Sequence, residues 1–247
     1  MTELTDHFSG TAAAAYDQNS ADMFTAEKTD PVVEVLAELA GDGRALEFAS
    51  GTGRIALPLL ARGVPVTGID LSVDMTAQLH AKPRGQEIEV AIGDIATTRV
   101  EGVFNVAYLV FNTVMNLTTQ DAQVACFENA AAHLAPGGRF VIETMVPDLR
   151  QLPPGQRAVP YAVEPGKSSA VDLYDCATQE MSSNYLTVNE DGTGSGKSVP
   201  FRYVWPSELD LMARIAGLYL QHRWSDWNRE PFTHESRSHV SVWKKLG

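Results

Sequence analysis

The chain has 247 residues, of which 44% are hydrophobic, and its 19 basic and 31 acidic side chains give a formal net charge of -12. This hydrophobic fraction is enough for a folded core and argues against intrinsic disorder. The excess of acidic side chains disfavours proteins that grip the phosphates of nucleic acids or of anionic membranes. We therefore expect a small-molecule partner and neither nucleic acid nor a membrane.

Cys126 and Cys176 match no metal-binding or redox spacing, which predicts reduced thiols and no metal site. The first residues show no signal peptide, and no apolar run approaches the roughly 20 residues of a membrane helix. We expect a cytoplasmic protein that is a monomer or a homodimer.

Residues 1–29 are a polar leader in which an alanine run precedes Tyr16. This segment is either a surface helix or a lid over a pocket. Asp30 and Pro31 then predict the start of a helix, because Asp caps free N–H groups and Pro fits the first turn. The glycines of the segment 41–43 end that helix.

The next stretch, 45–62, predicts a strand, a tight turn and a helix. The strand carries Glu47, and the turn contains Gly51 and Gly53, which permit backbone angles that side chains forbid. Free N–H groups at the start of the helix favour an electron-rich ligand group. By itself the turn indicates either an ordinary strand-to-helix connection or a nucleotide-type site.

Strands and helices continue to alternate as far as residue 145. The predicted elements are strand 64–70, helix 73–81 capped by Ser72, strand 88–92, strand 104–111, a helix from Thr119 or Asp121 to His133, and strand 139–143 after a Pro-Gly-Gly turn at 136–138. Such alternation predicts a parallel sheet with helices on both faces and a ligand beyond the carboxyl ends of the strands.

The alternation of strands and helices ends after strand 139–143. Residues 146–170 contain several Pro and Gly, and alternating strands are predicted at 171–174, 179–189 and 198–204, with Asp191-Gly192 as a hairpin turn. A helix at 207–216 and strands at 218–224 and 238–243 complete the chain. The predicted organisation is a lid segment at 1–29, a core of 30–145 and 206–247, and an antiparallel cover at 146–205.

Acidic residues follow three successive predicted strands: Glu47, Asp70 and Asp94. Asp70 lies about 20 residues past the glycines, where an acid meets a ribose diol, and Asp94 is able to accept from an adenine amino group. Each acid alone could be a helix cap. Three in succession are much harder to explain as caps and favour an adenosine-bearing ligand.

Residues 51–56 also fit the dinucleotide pattern G-x-G-x-x-G/A, so a nicotinamide dehydrogenase is an alternative. Glu47 counts against it, because a carboxylate beside the turn repels a pyrophosphate and attracts a cationic ligand. The strand-loop-strand unit at 218–243 also differs from a further run of β-α units.

Four motifs together resemble the class I S-adenosylmethionine-dependent methyltransferases. They are Glu47-Phe48-Ala49-Ser50-Gly51-Thr52-Gly53, Gly68-Ile69-Asp70-Leu71-Ser72, Gly93-Asp94-Ile95 and Leu134-Ala135-Pro136-Gly137-Gly138-Arg139-Phe140. The resemblance covers about residues 30–145 and places the last hairpin as strands six and seven. Ala49 departs from the glycine of many members, which is tolerable if this position has ordinary backbone angles.

The resemblance implies a Rossmann-like α/β fold with a seven-stranded sheet, an antiparallel last strand, and S-adenosylmethionine as cofactor. It implies that Glu47 faces the methionine part, Asp70 the ribose hydroxyls, Asp94 with Ile95 the adenine, and that Tyr16 is a lid. The expected cofactor residues are Tyr16, Glu47, Ala49, Gly51, Gly53, Arg54, Asp70, Leu71, Met75, Asp94, Ile95 and Phe111. The cover is expected over an acceptor pocket.

The expected reaction is methyl transfer to an oxygen or nitrogen of a small, partly apolar acceptor, such as a natural product or a sugar-like metabolite. Candidates near the transferred methyl are Tyr108 and Asn112, and His234 is the candidate base because imidazole titrates near neutrality. The expected acceptor residues are Asn116, Met145, Arg202, Tyr203, Trp205, Trp224 and Trp227. Tryptophans such as Trp224 and Trp227 are more often core or interface aromatics than ligand contacts. A non-catalytic cofactor-binding regulator is an alternative to an enzyme.

Overall fold

The computed structural model describes residues 6–189 and 191–247. Residues 1–5 of the predicted lid and Glu190 at the predicted hairpin lie outside the described residues. The helices are α1 Thr11–Asn19, α2 Ala26–Ala40, α3 Ala56–Ala61, α4 Val73–His80, α5 Gln120–His133 and α6 Pro206–Ile215. The strands are β1 Ala45–Phe48, β2 Val66–Asp70, β3 Glu89–Ile92, β4 Phe104–Leu109, β5 Leu134–Met145, β6 Ala158–Glu164, β7 Ser168–Tyr174, β8 Glu180–Val188, β9 Gly194–Arg202, β10 Leu218–Trp224 and β11 Ser238–Lys245.

Seven strands form one sheet in the order β10-β11-β5-β4-β1-β2-β3. Strands β5, β4, β1, β2 and β3 pair in parallel, whereas β11 runs antiparallel to both of its neighbours. The predicted seven-stranded sheet with an antiparallel last strand is therefore confirmed. The strand order reverses between β1 and β4, so the loops that follow these two strands meet at the ligand edge.

Apolar side chains cover both faces of this sheet. On one face, Leu36 of α2 and Leu59 of α3 pack with the buried side chains of β1 and β4. On the other face, the ring of Phe127 of α5 meets the edges of Phe140 and Trp243 at centroid distances of 5.1 and 5.3 Å. The two cores hold the carboxyl ends of β1, β2 and β4 rigidly in place. Within the described residues no helix is both long and apolar enough to cross a membrane.

Several predicted boundaries are wrong, among them the starts of α2 and β5. Helix α2 begins at Ala26, one turn before the predicted start, and Pro31 lies inside it. Proline has no N–H group, so α2 lacks one backbone hydrogen bond at this position. Strand β5 begins at Leu134 rather than Arg139, and an irregularity in its pairing with β4 accommodates the Pro-Gly-Gly segment 136–138.

A second sheet lies between β5 and α6, with four antiparallel strands in the order β6-β7-β8-β9. The sequence predicts three strands in this region and no regular strand at Ala158–Glu164. Pro160 explains the error, since proline lacks a backbone donor and is found on edge strands, and β6 is an edge strand. We call this second sheet the cover sheet.

Candidate active site

The loop after β1 wraps its backbone around the end of β2. The N–H groups of Ala49 and Ser50 donate to the carbonyl of Ile69 at 2.7 and 3.3 Å. Gly51 and Gly53 have φ angles of +54° and +82°, in the left-handed region where side chains are disfavoured. A Cβ at Gly53 would also lie 3.0 Å from the side chain of Leu79. The two glycines are therefore required by the backbone path.

Ala49 also has a left-handed backbone, with φ at +57°. The expectation that alanine is tolerable here assumed ordinary backbone angles, and that condition is not met. The β-carbon clashes with the backbone in this region at a cost of roughly 1–2 kcal/mol. This position therefore stores strain immediately beside the cofactor loop.

Ala49→Gly is expected to raise the free energy of unfolding by about 0.5–1 kcal/mol. Relief of the strain outweighs the extra freedom of glycine in the unfolded chain. The matched control is Ala61→Gly at the exposed end of α3, which should lower the same quantity by about 0.5–1 kcal/mol. Urea unfolding measures both variants, and a loss of stability in Ala49→Gly would contradict the strain argument.

Glu47 is a buried acid at the end of β1. It lies opposite Tyr108 of β4 in the parallel register, so both side chains occupy the same face of the sheet. Burial raises the pKa of Glu47 to about 8, which Tyr108 and Arg54 only partly offset. The tyrosine hydroxyl nevertheless makes no hydrogen bond of normal length. Among the described residues, Glu47 Oε2, Ser50 Oγ and Tyr108 Oη are buried without a hydrogen-bond partner.

Burying these oxygens without a hydrogen bond costs free energy, unless a ligand or a water molecule supplies the missing partner. A buried carboxyl group that lines a small cavity, and whose burial Arg54 offsets only in part, suits a ligand with a positive charge. The set therefore fits the methionine end of S-adenosylmethionine better than it fits a phosphate.

Asp70 ends β2 and bridges two backbone segments. Its Oδ2 accepts from the N–H of Gly51 at 2.6 Å, and its Oδ1 accepts from the N–H of Ser72 at 2.8 Å. Burial raises its pKa in spite of these two hydrogen bonds. Leu71 follows it, and Met75 reaches back beside Gly51 from the first turn of α4. The second lone pair of each carboxylate oxygen remains available to a diol.

Asp94 follows β3 and caps the turn after it. Its Oδ1 accepts from the N–H of Ala96 at 2.8 Å. The next residue, Ile95, is buried, and its carbonyl accepts from Nδ2 of Asn129 at 2.7 Å. In the described segment between Asp94 and β4 there is no helix, so Asp94 is not a helix cap, and its Oδ1 instead holds a turn. This hydrogen bond does not conflict with a further contact from the second carboxylate oxygen.

Helix α1 is fixed over the loop by polar contacts. The hydroxyl of Thr52 donates to Asp17 Oδ1 at 2.6 Å, and Lys82 pairs with Asp17 while donating to the carbonyl of Thr52 at 2.7 Å. The N–H of Gly10 donates to Asp74 Oδ2 at 2.6 Å. These contacts span 30 to 65 positions along the chain, so no spacing signal in the sequence reveals them.

One concavity opens between the cofactor loop, α1 and the loop after β4. It is lined by Tyr16, Glu47, Ala49, Ser50, Gly51, Thr52, Arg54, Ile55, Val110, Phe111 and Thr113. Six of the predicted cofactor residues thus meet in it, whereas Ser50, Thr52 and Thr113 are lining residues that the sequence analysis did not select. Arg54 lies 5.0 Å over the ring of Phe111, which orders the wall of the concavity.

The three candidates for catalysis are placed very differently. Tyr108 is fully buried behind Glu47. Asn112 has a left-handed backbone and accepts from the N–H of Met145 at 2.6 Å, which ties the end of β4 to the end of β5. His234 is exposed in the loop after β10, where its carbonyl accepts from Arg150. The structure thus brings Tyr108 and Asn112 to the loop after β4 and leaves His234 in a separate loop.

The acceptor candidates divide in the same way. Asn116 ends the short turn Thr113–Asn116 after β4, and Met145 ends β5. Arg202, expected to face the acceptor, is buried and donates to Gln123, Gln179 and Glu208. This correction has a physical reason, because a buried guanidinium requires acceptors on all sides.

The aromatic residues expected to contact the acceptor also pack against other side chains of the protein. Tyr203 is buried against Tyr174 and meets Trp205 edge to face at 6.3 Å. Trp224 stacks on His222 at 5.1 Å, and Trp227 is buried in the core on the α2 and α3 face. These tryptophans follow the core interpretation that the sequence left open, rather than the expected pocket mouth.

Comparison with known proteins identifies the family. Residues 45–138 match the family model described as a methyltransferase domain. A curated relative from Streptomyces sp, the cypemycin N-terminal methyltransferase, is 28% identical over 206 residues, 81% of this chain and 83% of the relative. The solved CcbJ methyltransferase from Streptomyces caelestis is 32% identical with a TM-score of 0.78, over 88% of this chain and 89% of that chain.

A third similar structure, SAM-bound CalS10 from Micromonospora echinaspora, is an amino pentose methyltransferase. It is 20% identical with a TM-score of 0.69 and covers 99% of this chain and 100% of that chain, which shows the fold. The chain belongs to the class I S-adenosylmethionine-dependent methyltransferase family. Its cofactor is S-adenosylmethionine, and the dehydrogenase and regulator alternatives are not favoured.

Proposed function

We propose that the chain methylates a nitrogen of a small, partly apolar acceptor that binds beneath the cover sheet. Oxygen remains the alternative acceptor atom. The observation that carries the proposal is the packing of β9 against the turn Thr113–Asn116, which follows β4 beside the cofactor concavity. Nitrogen is favoured because the curated relative is named an N-terminal methyltransferase.

In the proposed domain organisation, residues 146–205 cover the acceptor, and residues 1–29 form the lid. The core comprises 30–145 and 206–247. Support for the lid comes from Tyr16, which lines the concavity, and from Phe8, whose ring meets that of Tyr16 edge to face at 6.1 Å. Both aromatic rings would exclude water from the transferred methyl.

When bound, S-adenosylmethionine supplies a methyl group that its sulfonium already activates. The chain's own residues then have to bind the cofactor, align the acceptor and exclude water. We assign alignment to Asn112 and Asn116, and we keep His234 as the candidate base. Tyr108 acts through Glu47, as a positioning residue rather than as an acid or base, because its hydroxyl is buried behind that carboxyl.

The test is transfer of a labelled methyl from S-adenosylmethionine to a panel of primary amines and the matching alcohols. We expect label in the amine products and at least a tenfold lower rate with the alcohols. Transfer to alcohols alone would overturn the assignment to nitrogen. Tight cofactor binding without transfer to any member would favour the non-catalytic alternative.

A further inference from the structure

The inner face of the cover sheet is defined by its strand register. Asp172 of β7 lies opposite Ser183 of β8, and Tyr185 of β8 lies opposite Lys197 of β9, all on one face. Lys197 donates to the carbonyl of His7 at 3.4 Å and lies 5.9 Å over the ring of Phe8. This face therefore looks toward the N-terminal segment that carries Tyr16, and hence toward the cofactor concavity.

Asp172 is a half-buried carboxylate on this face. Its Oδ1 accepts from the hydroxyl of Ser183 at 2.6 Å. In the described part of the chain no Lys, Arg or His comes within ion-pair distance of it. Burial raises its pKa, which the hydrogen bond from Ser183 opposes. Lys197 lies on the same face but contacts His7 and Phe8 instead, so a cation brought by a ligand would stabilise this carboxylate.

Tyrosines surround this carboxylate. The rings of Tyr161 and Tyr185 meet edge to face at 6.3 Å, and both rings are about half exposed. Burial raises the pKa of Tyr161, with smaller contributions from Tyr185 and Asp172, and the charge of Asp172 also raises the pKa of the deeper Tyr174. Aromatic faces are electron-rich and attract ammonium groups. A carboxylate next to two accessible tyrosine rings therefore matches the chemistry of an amine.

We propose that Asp172, Tyr161 and Tyr185 form an ammonium-binding subsite that holds the acceptor by a positively charged amino group other than the nitrogen that is methylated. The methylated nitrogen has to be uncharged, because its lone pair forms the new bond to carbon as the sulfur–carbon bond of the cofactor breaks. This inference rests on the proposed function and adds to it the recognition element of the substrate. Neither Asp172 nor Tyr161 nor Tyr185 stands out in the sequence. The register of β7 and β8 places Asp172 and Tyr185 on one face, and an irregularity in β6 at Tyr161 brings the ring of that residue to Tyr185. A neutral hydroxyl in the same place would leave the carboxylate without a counter-charge.

The probe for this subsite is 2-phenylethylamine, with 2-phenylethanol as the neutral analogue of similar shape. Both are titrated by NMR into the full-length protein saturated with S-adenosylhomocysteine. We expect the amine to bind at least tenfold more tightly than the alcohol. Asp172→Asn should remove this preference while keeping an oxygen that can accept from Ser183. The matched control is Asp191→Asn, an exposed acid in the hairpin of the same sheet, which should keep the preference.

Equal binding of the two probes to the unaltered protein would overturn the subsite, as would an amine preference that survives in Asp172→Asn. Tyr185→Leu is a second test in case Asp172→Asn does not fold. This variant keeps the Asp172 carboxylate and removes one aromatic ring, so it should lower the amine affinity several-fold. The methyl-transfer assay separates the two proposals. Amine methylation together with an unchanged preference in Asp172→Asn would overturn the subsite alone. Amine binding without transfer to any amine of the panel, diamines included, would overturn the proposed function alone.

Discussion

Asp70→Ala is expected to weaken the binding of S-adenosylmethionine by about a hundredfold, or about 2–3 kcal/mol. The Asp70 carboxylate both presents lone pairs to a ribose diol and anchors the N–H groups of Gly51 and Ser72. Its removal leaves buried donors unpaired on the protein and unpaired hydroxyls on the ligand. Isothermal titration calorimetry with S-adenosylmethionine measures the loss directly.

Asp42→Ala is the matched control for this prediction, because Asp42 is an exposed acid in the turn after α2. Its affinity should equal that of the unaltered protein. A second comparison separates ribose recognition from simple collapse of the loop. The unaltered protein should bind S-adenosylhomocysteine about tenfold more tightly than its 2′-deoxy analogue, whereas Asp70→Ala should bind both equally. A 2′-hydroxyl effect that persists in Asp70→Ala would refute the ribose assignment.

The alternation of apolar strands and amphipathic helices was sufficient to predict a parallel sheet with helices on both faces, because buried parallel strands require that pattern. The count of seven strands and the antiparallel last strand came from the family resemblance. Reasoning from the residues also predicted the loop around Gly51, which has a local signal in its glycines. It failed at β6, where Pro160 imitates a loop on an edge strand. The expectation of ordinary backbone angles at Ala49 was also wrong, because the amino-acid sequence gives no signal for a positive φ angle at a residue other than glycine.

The remaining parts of the site depend on contacts between residues far apart in the sequence. The pairing of Asp17 with Lys82 and the apposition of Asp172 with Tyr161 and Tyr185 have no fixed spacing that a sequence pattern could detect. Arg202 shows the converse problem, since its residue type suggests ligand binding while its burial commits it to Glu208 and two glutamines. Residue type predicts the chemistry that is available, and only the fold decides which partner uses it.

The second large effect concerns Glu47. Burial raises the pKa of this carboxyl group to about 8, far above its ordinary value of 4.5. In the ligand-free protein at pH 7 this carboxyl holds its proton. A cationic ligand group beside it favours the carboxylate, so binding should release up to about one proton per ligand at pH 7. The release should diminish as the pH passes 8. Calorimetry in buffers of different ionisation enthalpy measures it.

Glu47→Gln isolates this contribution, because the difference from the unaltered protein cancels any proton that the ligand itself exchanges. Proton release should disappear in Glu47→Gln, and the affinity should fall. The matched control is Glu101→Gln, which alters an exposed acid in the turn before β4 and should keep the release. Equal release from Glu47→Gln and the unaltered protein would show that Glu47 is already ionised before binding.

The same group links stability to pH in the ligand-free protein. Because its folded pKa lies above its unfolded pKa, the folded state binds the proton more tightly. The resulting stabilisation is complete below about pH 4.5 and is lost as the pH rises toward 8. Glutamine does not titrate, so a glutamine at this position does not lower the free energy of unfolding in this pH range. The free energy of unfolding of Glu47→Gln, relative to that of the unaltered protein, should therefore be about 3–5 kcal/mol higher at pH 8.5 than at pH 5. Urea unfolding at these two pH values measures the gain. A difference that does not change with pH would mean that the buried acid has a cation that neutralises it before the cofactor binds.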